Sequence, residues 1–384
     1  MNKALSIFAI VLLLVSCNQK KEVKPIDAAN FKTEVDGKPV SLYTLHNGFL
    51  TMQVTNYGGR VVSLWVPDRR GSYEDVVLGY DHIDKYLNNE GNRYLGAVVG
   101  RCANLVSNGS FTLDDVEYQL SKNDGVNTLN GGFVGADKMV WDVVSVNDSV
   151  IQMHALFADS LDGFPGNLDV TMTYTLTADN QFQIKYKATT DKATLCNFSH
   201  HSLFNLKGEG NGTILDHELQ INSRYMTTIN GNRIPDGKFS GVKNTPFDFR
   251  TKRAIGDHID DADDEQMTHA GGYDHNWIVD KNDPKAFAQC AILTEPESGR
   301  QMEVWTDQVG LQFVSGNTLD GKTTGKCGKP LNYREGLALE TQFFPDAINH
   351  PTLAPFPILE PGKEYTHLCF YKFSVLPKER KKKK

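Results

Sequence analysis

The stretch Leu168-Asp169-Val170-Thr171-Met172-Thr173-Tyr174-Thr175-Leu176 decides the fold class. Its large apolar residues alternate strictly with aspartate and threonine, the period-two signature of a strand with one buried and one wet face. A turn at Ala178-Asp179-Asn180 follows. Phe182, Ile184 and Tyr186 then alternate with Gln183, Lys185 and Lys187, which makes the pair an antiparallel hairpin. The same period recurs at Leu50-Met52-Val54, at Met302-Val304 and at Cys369-Tyr371-Phe373-Val375. Helical periodicity is scarce; only residues 81–88 and 252–259 have room for about two turns each. With 33 glycines and repeated N-G and D-G pairs to supply turns, the pattern predicts an all-β chain. It predicts one large antiparallel β-sandwich over residues 31–377, with no solenoid or propeller repeat.

Composition fits this reading and narrows function. Of 384 residues, 40% are hydrophobic and 23% charged, ordinary for a soluble globular chain. The formal net charge is −7. Residues 378–384 carry +5 and Lys3 carries +1, so the body between them stands at −13. An acidic body repels phosphate backbones, so no nucleic-acid partner is expected. The run KERKKKK at 378–384 reads as a disordered basic tail.

The N-terminus sets the expected compartment. Lys3 precedes an apolar run from Ala4 to Val15, too short to span a bilayer and suited to the core of a secretory signal. It ends in Leu14-Val15-Ser16-Cys17, which resembles a bacterial lipobox. That resemblance implies a signal peptide over 1–16, lipid on Cys17 and a polar tether over 17–30. The expected location is the bacterial cell envelope, lipid-anchored and facing the periplasm or outer membrane. Five other cysteines, Cys102, Cys196, Cys290, Cys327 and Cys369, lack metal-ligand spacing. Cys290 and Cys369 sit in apolar runs as small buried hydrophobes.

No glycine-rich nucleotide loop, G-x-S-x-G or H-E-x-x-H occurs. The histidines are not spaced as metal ligands. His200 and His201 are adjacent, so on a strand they face opposite ways and only one can serve a given site. Four stretches mix polar and aromatic residues: Gly100 to Asn104, Asn197 to Leu206, Gly272 to Trp277 and Glu340 to Ala347. Taken singly, Arg101 could cap a strand, His201 could be a satisfied core histidine, Asp274 a turn residue and Glu340 a lysine's partner. Glu340 ends the apolar run Leu337-Ala338-Leu339, where partial desolvation would raise its pKa toward a value useful for proton transfer.

In order along the chain, these stretches resemble the aldose 1-epimerases (galactose mutarotases). The matches are N-Y-G at 56–58, G-R-x-A-N at 100–104, L-x-G-G at 129–132, H-S-x-F-N-L at 201–206 and T-P-F-D-F at 245–249. They continue with G-Y-D-H-N at 272–276, G-L-Q-F at 310–313 and E-T-Q-x-F-P-D-A at 340–347. The resemblance implies a large β-supersandwich that interconverts the α and β anomers of a free aldohexose without metal or cofactor, as a monomer or weak dimer. It implies Glu340 as base and His201 as acid. It implies Arg101, Asp274 and Gln312 as holders of sugar hydroxyls with Asn104 and Asn130 beside them, and Trp277 and Phe204 as apolar walls. Asn130 departs from the family, which usually has histidine there; an amide cannot carry a positive charge. A surface-anchored carbohydrate binder with weakened catalysis is therefore the alternative expectation. Leu203, where tyrosine is common, suggests a reshaped wall.

Overall fold

A computed structural model describes residues 20–88 and 91–378. The expected hairpin is there: Leu168–Leu176 pairs antiparallel with Gln181–Thr190. It lies inside a nine-stranded sheet, flanked on one side by Val150–Phe157 and Asp142–Val146. On the other side come Tyr365–Val375, Arg300–Thr306, Ala288–Thr294, Glu218–Ile221 and Arg253–Ala254. Leu168, Val170, Met172, Tyr174 and Leu176 are buried while Asp169 is exposed and the threonines between them are partly exposed, as the alternation requires.

Two further sheets pack against it. One has four strands, from Leu42–His46 to Tyr73–Asp75. The other has five, in the order Pro235–Gly241, Tyr225–Ile229, Asp274–Ile278, Gly310–Val314 and Ala338–Gln342. All strand pairings are antiparallel among the described residues, and the chain is nearly all β. One core cluster runs through the sheets, from Leu45 and Met52 through Tyr174 and Tyr186 to Trp277, Phe313 and Tyr371.

Helix is confined to short pieces. Ile83–Leu87 falls within the expected 81–88, whereas 252–259 yields only a 3-10 turn at Ile255–Asp257. A further short helix, Glu265–Ala270, has the Asp264 carboxylate accepting from two backbone amides at its start. Cys290 and Cys369 are buried in strands, and the five described cysteines are unpaired.

The signal and Cys17 lie outside the described residues, as does all of the tail but Lys378. The segment expected as tether is docked over its described part. Lys21 N donates to Ser72 Oγ, Tyr73 N donates to Lys21 O, and Gln53 bonds both backbone groups of Ile26.

Candidate active site

The five-stranded sheet builds the floor of a pocket. Asn276, Gln312 and Glu340 stand opposite one another on three adjacent strands. Side chains two residues apart share a face, so Asp274 joins that row. Trp277 is one residue out of phase, in register with Leu311 and Thr341 on the opposite face.

Above this floor His201 ends the short strand Ser199–His201, which pairs with Ala97–Val99. Its Nε2 lies 3.6 Å from Glu340 Oε1, and its ring packs on Tyr94 with centroids 5.8 Å apart. His200 points the other way, into the core, where it meets Ser202 Oγ at 2.7 Å and Tyr174. Gln312 Nε2 donates to Asp274 Oδ1 at 2.7 Å. The enclosed space is about 400 Å³. That falls in the range of small-molecule sites, about 300–1,000 Å³.

Two loops close one side. Asn104 N donates to Asn130 Oδ1 at 2.8 Å, and Asn130 N donates to Asn104 O at 2.9 Å. Both residues have positive φ, 65° and 51°, a region asparagine tolerates better than most side chains. The next residue must be glycine: a Cβ on Gly131 would sit 2.1 Å from the Gly100 carbonyl oxygen.

Burial sets the proton chemistry. It pushes Glu340 well above the usual carboxylate range, and the neighbouring Asp274 pushes the same way. It also raises Asp274, against the Gln312 hydrogen bond and the attraction of Arg233. It lowers His201 to about 4, with Arg60 acting in the same direction. The site therefore favours uncharged forms of both reacting groups when empty.

The structure brings Glu340, His201, Asp274, Gln312, Asn104 and Asn130 to one pocket, with Leu203 in its wall. Three expected residues are not there. Arg101 is buried away from it, its guanidinium donating to the carbonyls of Pro165, Gly166, Phe157 and Ala158 and to Thr194 Oγ1. Those acceptors already take up its terminal nitrogens, so it is a structural tie between loops and not a sugar ligand. Trp277 is fully buried among Phe247, Phe249, Tyr273 and Phe313, because its strand phase turns it to the core. Phe204 packs on Tyr371 and Phe373, one position past the wall residue Leu203.

Sequence reasoning missed Asn276, Tyr94, Leu105 and Arg233, which also line the pocket. Asn276 could have been found by counting two residues on from Asp274. Arg233 carries no such signal, since it lies in the turn after Tyr225–Ile229, a strand brought to the site by the pairing of Met226 with Trp277.

The family model for aldose 1-epimerase matches residues 41–372. A galactose mutarotase from Bos taurus is 38% identical, covering 88% of this chain and 94% of the relative. An aldose 1-epimerase from Escherichia coli K12 is 37% identical, covering 88% and 96%. Among solved structures, an aldose epimerase homologue from C. elegans superposes with a TM-score of 0.80 at 26% identity. That match covers 88% of this chain and 100% of the other. A galactose 1-epimerase from Lactobacillus acidophilus gives 0.76 at 27% identity, covering 90% and 97%.

Proposed function

The chain belongs to the aldose 1-epimerase family and is a mutarotase of the isomerase class; on that premise we propose that its pocket interconverts the anomers of a free aldohexose, with Glu340 as base and His201 as acid. The observation that carries the roles is the buried pair itself, a carboxyl and an imidazole 3.6 Å apart in a sugar-sized pocket.

The chemistry follows from the pair's shared proton. With the ring-closed sugar bound, the working form has an ionised Glu340 and a protonated His201. Glu340 takes the proton of the C1 hydroxyl while His201 gives one to the ring oxygen, and the bond from C1 to the ring oxygen breaks. The products are an open-chain aldehyde, a neutral His201 and a protonated Glu340. That uncharged pair is the one burial favours, so the pocket lowers the energy of the open-chain stage. Rotation about C1–C2 presents the other face of the aldehyde, and the two transfers run in reverse. Sugar hydroxyls donating to the carboxylate stabilise its charged form at the start. Asp274 and Gln312, already bonded to each other, hold hydroxyls on the same floor.

Asn130 favours a second reading, a sugar binder with weakened catalysis, because its amide oxygen is committed to Asn104 N and it brings no charge. Polarimetry on freshly dissolved α-glucose and α-galactose separates the two. A mutarotase collapses the optical rotation faster than buffer, whereas a binder leaves the rate at the buffer value.

The lipobox-like run ending in Cys17 supports a lipid-anchored location in a bacterial envelope. Metabolic labelling with a tagged palmitate tests it; lipid should appear on the wild type and vanish in Cys17→Ala.

A further inference from the structure

The charges around the pocket leave one cation over. Of the two arginines in its lining, Arg93 is spent: its Nε and Nη2 grip both oxygens of the buried Asp137 at 2.7 and 2.9 Å, and Nη2 also meets two backbone carbonyls. Arg233 has no hydrogen bond or ion pair from its guanidinium among the described residues, and its charge acts on Asp274.

The backbone that carries Arg233 is fixed by its turn, and its exposed side chain stands in the pocket lining. The residue lies in the turn Asn230 to Ile234, where Arg233 N donates to Asn230 O, and the Asn230 side chain accepts from Asn232 N and Ile234 N. Arg233 itself takes the left-handed conformation, φ 61°, although Gly231 and Asn232 stand beside it. A long side chain in that region is uncommon and costs about 1 kcal/mol or more, and such residues cluster at functional sites.

Its place along the floor says what it could read. Glu340 and Gln312 are cross-strand neighbours, and Asp274 lies one strand further on. Asp274 is thus at the end of the row away from the reacting pair, about two strand spacings or 10 Å from Glu340, and Arg233, whose charge acts on Asp274, lines the same pocket. A sugar with C1 at Glu340 and His201 directs its far substituents toward that end. The rest of the floor is rich in acceptors, Glu340, Asp274 and the unpartnered Oε1 of Gln312, which suit hydroxyl donors. A free guanidinium fork suits an acceptor instead, and best of all a carboxylate, which it can bind through two parallel hydrogen bonds. One guanidinium balances one negative charge. It does not balance a phosphate dianion in a pocket that Asp124 and Asp274 also line.

We propose that Arg233 is a specificity-determining residue that admits hexuronic acids, aldoses bearing a carboxylate at C6, as substrates of this site. The anomeric centre of a hexuronic acid is that of the parent hexose, so the proton transfers by Glu340 and His201 need no change. The inference rests on the mutarotase reading for turnover and on Arg233 alone for the carboxylate.

The test uses D-galacturonate and D-galactose as probes, with the wild type, Arg233→Gln and Arg233→Lys. Turnover is followed by polarimetry and binding by calorimetry. The ratio of kcat/KM for galacturonate to that for galactose should fall at least tenfold in Arg233→Gln. Arg233→Lys, which keeps the charge, should recover part of the loss. A fall of less than tenfold, or a wild type that neither turns over nor binds galacturonate while acting on galactose, overturns the inference and leaves the mutarotase reading intact. Binding of galacturonate that depends on Arg233, without turnover of either sugar, sustains the carboxylate site and overturns the mutarotase reading.

Discussion

The strands Leu168–Leu176 and Ala338–Gln342 obey the same period of two, yet only the first shows it in its burial. In Leu168–Leu176 one face is packed and the other is wet. In Ala338–Gln342 every residue is buried. One face of that strand enters the aromatic core, and the other lies under the pocket and carries Glu340 and Gln342. Polar side chains on a face closed to bulk water are costly unless partnered. Yet Asn276 and Gln342 have no partner for either polar atom, and Gln312 Oε1 has none, among the described residues. On the nine-stranded sheet, polarity faces water. On the five-stranded sheet, part of it is buried without a protein partner.

Substitutions can break this contrast. The largest effect belongs to the reacting pair. Glu340→Gln and His201→Asn should each lower kcat/KM on galactose by about 10²–10⁴-fold while the folded state survives. A change on the wet face of the other sheet, such as Lys185→Gln, should leave the rate as it is.

Next comes Trp277, on the core side of the functional sheet. Trp277→Ala should cost about 3–5 kcal/mol of stability in urea unfolding, as large aromatic truncations do. KM should stay near wild type in the protein that remains folded. A raised KM with unchanged stability would return Trp277 to the pocket wall.

Arg101→Lys should cost about 2 kcal/mol of stability, since a lysine cannot reach the same set of carbonyls with one planar fork. The same measurement pair, urea midpoint and KM, separates a loop tie from a sugar ligand.

Acid should weaken the fold. Burial holds His200 and His275 at about 3 and His201 at about 4, and it also lowers His217 and His367. An unfolded histidine takes up its proton near 6.5. Below that pH the unfolded chain binds more protons than the folded one, so stability falls as pH falls toward 4. Glu340, Asp274 and Glu209, raised by burial, contribute with the opposite sign, three groups against five. Between pH 7 and 5.5 the net loss should be about 1–2 kcal/mol, read from urea midpoints at the two values.

The smallest effect concerns the loop clasp. Asn130→Ala removes the acceptor used by Asn104 N and should cost about 1 kcal/mol, with a modest rise in KM. Asn130→His would bring a chargeable ring but must give up the same acceptor.

What could be read from the sequence follows the same division. The alternation from Leu168 to Tyr186 was legible because one face is wet, and it found the sandwich. Glu340, His201, Asp274 and Gln312 were legible because the family motifs carry them in order. Trp277 and Phe204 were misread because an aromatic beside a site residue on a strand faces away from it, and parity was not counted. Arg101 was misread because sequence does not show which carbonyls surround a guanidinium. Arg233 was invisible, since its place by Asp274 depends on pairing between segments some 50 residues apart.

The central claim is that the Glu340–His201 pair opens and closes the sugar ring. Magnetisation transfer between the α and β anomeric protons of equilibrated galactose measures that exchange directly, with no net reaction to follow. The account predicts exchange well above the buffer rate with the wild type and a return to nearly the buffer rate with Glu340→Gln. Wild-type exchange no faster than buffer, or more than a tenth of it surviving in Glu340→Gln, would contradict it.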